Sequence, residues 1–273
     1  MEIRGEEAAY LMGSERPAAG SVLTSTSRYL NNPRFRDVYA QMGLKRDGYD
    51  LPSAYLIPEV NRAMAEEMDV ESLHALLAAE RKRLPEFAQW LDARFTSHWS
   101  EDSVASCAPG TVGALIHNFL STSGMEIDFM FRGEPADDFG YLIKRRVQNH
   151  DIEHMVSGLD PSPVGEIALI VANTVALFNY FTPEFANMLS FQPMFLASTS
   201  LMRAACHYPA VTPAMLEGFA LGHTVGRRQP RPLFMIRWED WIDTPVAEAR
   251  AALGFEDGPA AEHWAWTQEA ARG

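Results

Sequence analysis

The sequence predicts an all-α fold, on three observations. Apolar residues recur at helical spacing in successive segments from Pro58 onward. No run of alternating apolar and polar residues marks a strand. The periodic segments are joined by short connections that carry proline and glycine. A single helical domain over residues 31–273 is expected. It follows an irregular segment, 1–30, in which Gly13, Pro17, Gly20 and the Ser/Thr-rich run Ser21 to Ser27 supply turn chemistry.

Each element has its own justification. Asp69 is a good N-cap for a helix carrying Leu73, Leu76 and Leu77. Pro85 opens a second helix, with Phe87, Trp90, Leu91, Arg94 and Phe95 expected on one side. A third starts near Gly110 and carries Val112, Leu115, Ile116, Phe119 and Leu120. The stretch Ile167 to Phe181 approaches membrane density but is interrupted by Asn173, Thr174 and Asn179. A spanning helix needs about 20 apolar residues. A buried core helix or the wall of an apolar cavity is the better reading.

Composition narrows the function. At 47% hydrophobic and 11% aromatic residues, a chain of 273 can bury a large core. A formal net charge of −13 argues against a nucleic-acid binder, which needs a basic surface. Two cysteines, Cys107 and Cys206, make neither a disulfide framework nor a multi-cysteine zinc site, which fits a reducing compartment. The acidic start, Met1 to Tyr10, lacks the pattern of a signal or transit peptide. A cytoplasmic protein is expected, peripheral on the inner membrane if it meets lipid.

The chemistry sits in Tyr141 to Gly158. Ile143, Val147, His150 and His154 follow steps of four, three and four and share one helical face, which Asp151 borders. That face is expected to point inward. Lys144, Arg145, Gln148 and Glu153 are expected on the solvated side. Gly158 stops the helix. Asp160 to Pro163 then make a tight connection, with Ser162 as cap and Pro163 at the first helical position. Glu166 falls in the first turn of the next helix, where a short helix-turn-helix brings it to His154.

A histidine pair at i and i+4 is as often two ordinary polar residues as a metal site. Glu166 beside an apolar run tips the balance. His150, Asp151, His154 and Glu166 offer two nitrogen and two carboxylate ligands, suited to zinc, or to iron or manganese with open positions. An HExxH protease does not fit, because the acid is an aspartate and no third ligand follows at protease spacing. An HD-type phosphohydrolase stays open. His98 and His117 could join its ligand set, but it leaves His154 and Glu166 unexplained.

His150-Asp151-x-x-His154, eleven residues, then Glu166 resembles the signature of the coenzyme Q biosynthesis protein four family. Pro109-Gly110-Thr111-Val112-Gly113 through Phe119-Leu120 is similar to that family's P-x-G-T-L-G…F-L segment. Gly165-Glu166-Ile167-Ala168-Leu169 is close to its G-E-x-A-L. Tyr141 and Arg145 stand where it has a tyrosine and an arginine, and Trp238-Glu239, Pro245 and Arg250 fit its C-terminal segment. The resemblance covers roughly Pro109 to Phe255. One departure is plain. Where the family commonly has Arg-Tyr-Arg-Glu before the His-Asp pair, this chain has Arg145-Arg146-Val147-Gln148.

The resemblance implies an all-α ubiquinone biosynthesis protein that binds a divalent metal, zinc before iron, through His150, Asp151, His154 and Glu166. It implies oxidative removal of the C1 carboxylate from a polyprenylated hydroxybenzoate-type precursor, with Asp151 and Glu166 as catalytic groups and Tyr141, Arg145 and Asn173 as substrate contacts. The metal is expected to bind the ring carboxylate and a neighbouring phenol oxygen. The alternative is a non-catalytic prenyl-lipid-binding scaffold of a quinone-biosynthesis complex with partner proteins.

Further expectations concern lipid and self-association. The apolar residues from Ile167 to Leu196, rich in phenylalanine and methionine, are a candidate groove for a prenyl tail. Ala214, Gly218, Gly222 and Gly226 form a small-residue stripe, read first as tight helix packing. Arg227, Arg228 and Arg231 read as a solvated basic loop before a headgroup contact. Phe234, Ile236, Trp238, Trp241, Trp264 and Trp266 favour a homodimer interface.

Overall fold

The computed structural model describes residues 27–44, 56–123, 131–256 and 262–270, together with residues 5, 127 and 258–260. The chain is all-α. Among the described residues there is no strand, only one isolated antiparallel bridge between Thr111 and Pro245. Most of the expected irregular segment, including Gly13, Pro17 and Gly20, lies outside the described residues. Its last part is ordered, with Ser27 capping a helical turn.

The helices in chain order are α1 (Arg28–Asn31), α2 (Pro33–Leu44), α3 (Ile57–Glu67), α4 (Val70–Arg83), α5 (Pro85–Ala93), α6 (Glu101–Val104), α7 (Val112–Ser123), α8 (Asp138–Ser157), α9 (Pro163–Tyr180), α10 (Pro183–His207), α11 (Thr212–Arg228), α12 (Val246–Ala252) and α13 (Trp266–Ala270). Local chemistry sets many of their ends. Asp69 caps α4 by accepting from Ser72 N. Proline stands in the first turn of α3, α5, α9, α10 and α11. The helix from Pro85 is shorter than expected. It stops at Ala93 because Arg94 turns left-handed at φ 47°, so Arg94 and Phe95 leave its face.

Three apolar clusters hold the helices together. Phe35, Val38 and Met42 of α2 meet Val60 and Ala63 of α3 and Phe195 of α10. Leu73, Leu77, Phe87 and Leu91 of α4 and α5 pack with Tyr141, Leu177, Phe181 and Phe185. The largest cluster joins α7, α8, α9, α11 and the C-terminal segment. Helix α10 contributes to all three.

Helix α9 is the one helix among the described residues long and apolar enough to cross a membrane, and more than half of it is buried inside the protein. Its tightest neighbour is α11, through the glycine stripe. A Cβ at Gly218, Gly222 or Gly226 would lie 2.9, 2.3 or 2.5 Å from the carbonyl oxygens of Val164, Ala168 and Ala172. The stripe is therefore a backbone-to-backbone contact that no larger residue permits.

The C-terminal aromatics are also in the core. Phe234, Ile236, Trp238 and Trp264 are buried, and only Trp266, 47% exposed, offers a large apolar surface. The aromatic argument for a dimer interface loses these four residues. In the basic loop, Arg231 pairs with Glu86 at 3.1 Å and Arg228 with Glu256 at 4.0 Å, as a solvated surface would.

Candidate metal centre

Helix α8 is built the other way round from its sequence pattern. Lys144, Arg145, Gln148 and Glu153, expected in solvent, are buried. Of the stripe expected inward, Ile143, Val147, His150 and the bordering Asp151 are half-exposed, and only His154, near the helix end, is buried. The reason is that the polar side finds partners from distant segments. Arg145, 1% exposed, donates to Ser97 Oγ, Gln148 Oε1 and the Ile236 carbonyl. Gln148 accepts from Ser97 N and donates to Ser97 O. Asn149 donates to the Leu233 and Ile236 carbonyls, and Lys144 to the Gly133 carbonyl. Buried polar groups are tolerated when bonded in this way. Tyr141 is equally sealed, with its hydroxyl donating to the Phe95 carbonyl at 2.9 Å. Tyr141 and Arg145 thus hold α8 from behind.

The end of α8 sets the centre. Gly158 takes φ 79°, and its N–H bonds the His154 carbonyl. The chain reverses so that the Leu159 carbonyl lies on His154 Nδ1. With Nδ1–H donating there, Nε2 faces Glu166; it donates to the carboxylate while the ring is protonated and offers its lone pair to a cation once that proton leaves. Ser162 caps α9 by accepting from Gly165 N, while Asp160 accepts from Ser162 N and Trp264 N. Gly165 is required, because a Cβ would lie 1.9 Å from the Asp160 carbonyl oxygen. Arg250 donates to the Val156 carbonyl and covers the last turn of α8.

This connection carries Glu166 onto the histidines. His154 Nε2 is 2.9 Å from Glu166 Oε2, and His150 Nε2 is 3.7 Å from Glu166 Oε1. The two imidazoles meet edge to face at 4.7 Å. One ligand atom from each of His150, His154 and Glu166 lies within 4.8 Å of the others. His154 is 6% exposed, whereas His150 and Glu166 keep 43% and 41% of their side chains accessible. The triad therefore has a buried anchor and an open rim. Asp151 is not in this set of three. It sits half-exposed beside them, close enough for its charge to be felt by both histidines and Glu166. His98 and His117, the candidates for an HD-type set, are not in the cluster either.

The electrostatics fit a cation site. Burial opposes the charged form of Glu166, but the His154 hydrogen bond and the charges of both histidines overcome it and hold the carboxyl down at about 2. Burial opposes protonation of His154 too, yet Glu166 holds its pKa above the usual value. His150 is pushed down by burial, and Asp151 is pushed up by burial. A tautomer fixed by a backbone carbonyl, an ionised carboxylate and a second imidazole make a donor set that zinc or iron accepts.

The sequence reading missed a second polar pair behind the triad. Asn173 of α9 donates to Glu153 Oε2 at 2.8 Å. Burial pushes the Glu153 carboxyl up to about 7, against the lowering from that bond and from His154. The signal was available, since Asn173 lies seven residues after Glu166 and so on the same face of α9.

Two comparisons with known proteins found a match in family pattern and in fold. The model of the family "Coenzyme Q (ubiquinone) biosynthesis protein Coq4" matches residues 94–259, which include the whole centre. No curated protein matches the chain. A crystal structure from Nostoc punctiforme PCC 73102, of a protein provisionally named for ubiquinone biosynthesis, superposes with a TM-score of 0.57 at 22% identity, covering 82% of this chain and 98% of that one. It shows a shared fold. With more than half of its length matched by the family model, the chain belongs to the coenzyme Q (ubiquinone) biosynthesis protein Coq4 family.

Proposed function

We propose that the protein is a metal-dependent enzyme of ubiquinone biosynthesis that removes the C1 carboxylate of a polyprenylated hydroxybenzoate-type precursor oxidatively. The observation that carries this reading is the convergence of His150, His154 and Glu166 at an open rim between two helices. These three would hold the metal, zinc or iron, with Asp151 beside them as a fourth donor or as an acid–base group. When bound, the metal supplies positive charge against which substrate oxygens orient and charge is stabilised. The carboxylate leaves as carbon dioxide and a hydroxyl takes its place on the ring carbon. Dioxygen supplies that oxygen atom, and its second atom leaves as water on two electrons from an external reductant.

The chain's own residues set the conditions. Leu159 fixes the His154 tautomer, Ser162 and Gly165 fix Glu166, and Tyr141 and Arg145 fix the helix that carries the histidines. Asn173, about two turns further along α9, holds Glu153 behind the helix that carries the histidines. Phe191, Met194 and Leu196 of α10 are half-buried and offer apolar surface for a tail. Peripheral contact with a membrane and a homodimer belong to this proposal.

Metal analysis of the purified chain is the first test. About one zinc or iron per chain is expected for the wild type, with most of it lost in His154→Ala. Equal, negligible metal in both would end the metal-centre reading. A scaffold is the second reading, favoured by Val147 and Gln148 where the family pattern has arginine and glutamate. In a complementation assay Asp151→Asn should abolish quinone synthesis in an enzyme, and a scaffold should tolerate it.

A further inference from the structure

Arg146 stands one helical turn before His150 on the half-exposed stripe of α8, flanked by the half-buried Ile143 and Val147. Its guanidinium donates to the Leu189 carbonyl of α10 at 2.8 Å. Among the described residues it has no other hydrogen bond and no ion pair. Arginine carries five N–H donors, so most of its capacity is unused. Arg145 next to it has a nitrogen that is sealed and unpaired, but no nitrogen of Arg146 is in that state. Its unbonded donors therefore keep some contact with solvent, although burial of the guanidinium pushes its pKa below the usual arginine value. The carboxylate whose charge it feels, Glu153, is bonded to Asn173 instead. His150 in turn feels the charge of Arg146. A partly buried guanidinium, anchored by one backbone bond and left without an anion beside a metal-ligating set, is arranged to receive an anion from outside.

We propose that Arg146 is the carboxylate-recognition residue of this centre, its guanidinium taking the carboxylate of an aromatic acid that lies between Arg146 and the His150–His154–Glu166 triad. The proposal rests on the metal-centre reading above and refines it. The carboxylate has a fixed cationic partner in the protein in addition to the metal. A planar fork matches the two oxygens of a carboxylate. Glu153, Asp151 and Glu166 nearby disfavour a dianionic phosphate. Ile143 and Val147 give the ring an apolar seat. Val147 occupies the position where the family pattern has its second arginine, so this chain presents its guanidinium about 100° further round the helix.

The test is calorimetric titration of 4-hydroxybenzoate into the purified chain, with and without one equivalent of zinc, for the wild type and Arg146→Gln. Zinc uptake is measured separately on both. The variant should take up zinc as the wild type does and bind 4-hydroxybenzoate at least tenfold more weakly. Inorganic phosphate should compete poorly. Equal 4-hydroxybenzoate affinity in the two proteins, or no binding by the wild type at millimolar concentration, would overturn the proposal. Phosphate binding as tightly, with the same loss in Arg146→Gln, would overturn the carboxylate class. Absence of zinc uptake by the wild type would instead count against the metal centre, and the zinc-free titration would still decide the role of Arg146. Should Arg146→Gln fail to fold, Arg146→Lys carries the comparison. It keeps the charge and a donor for Leu189 but loses the fork, so at least threefold weaker binding is expected and unchanged binding refutes the proposal.

Discussion

Replacing Gly222 with alanine should separate helices α9 and α11 and disturb the His150–His154–Glu166 cluster from a distance. The new Cβ would lie 2.3 Å from the Ala168 carbonyl oxygen and 2.9 Å from Val171 Cβ. Neither neighbour is the end of a flexible side chain, so the backbones must part by roughly an ångström to reach ordinary contact. Overpacking of this kind costs about 1–3 kcal/mol. Against it stands the helix preference of alanine over glycine, about 1 kcal/mol. A Cβ 2.3 Å from a backbone oxygen belongs in the upper part of the overpacking range, about 2–3 kcal/mol, so a net loss of about 1–2 kcal/mol is expected, which lowers the melting temperature by roughly 2–8 °C in a domain of this size. Gly43→Ala is the control. Its Cβ would lie 3.6 Å from Met202 Sδ, an ordinary contact, so the helix preference acts alone and the variant should be equal to or more stable than wild type. Thermal unfolding by circular dichroism compares the two. Ala168 follows Glu166 by two residues, so Gly222→Ala should also weaken metal binding while Gly43→Ala leaves it unchanged. Equal melting temperatures for the two variants would refute the view that the stripe is a close backbone contact.

Ser162→Ala removes the side-chain cap of α9 and should cost about 1 kcal/mol, with weaker zinc uptake in a competition titration because Glu166 sits in the same turn. Arg145→Met takes one donor each from the Ile236 carbonyl, which keeps Asn149, from Gln148, which keeps Ser97 N, and from the Ser97 hydroxyl, so urea unfolding should show a loss of about 1–3 kcal/mol. The pH dependence of the metal-free chain has a definite sign. Glu166 is held near 2 in the folded state, so its contribution is present above the unfolded value and is lost as pH falls through about 2. With the carboxyl two-fifths exposed, screening reduces that contribution to about 1 kcal/mol, and Glu166→Gln should remove it from the acid limb of the urea-unfolding profile. His154 is raised, so its share is present below the normal histidine pKa and is lost as pH rises through the folded value. The His154–Glu166 pair is therefore at full strength between the unfolded carboxylate and imidazole values.

The sequence by itself determined whatever depends on neighbours along the chain. The ends of α4 and α8, the Ser162–Pro163 start of α9 and the approach of Glu166 to His154 follow from capping chemistry, one left-handed glycine and a short connection. These are local interactions, and they need no knowledge of the rest of the fold. The three-residue donor set was legible for the same reason. Which side of α8 faces the core was not. A polar helical face looks the same in sequence whether water or the protein satisfies it. Here Ser97, Gly133, Leu233, Ile236 and Asn173, far away along the chain, bond Lys144, Arg145, Gln148, Asn149 and Glu153 and draw them inside. The same is true of Trp238 and Trp264, which fill the protomer's own core. Only the assembled helices decide whether a side chain meets solvent or a distant carbonyl, because burial is a property of the whole packing and not of a residue's place in its helix.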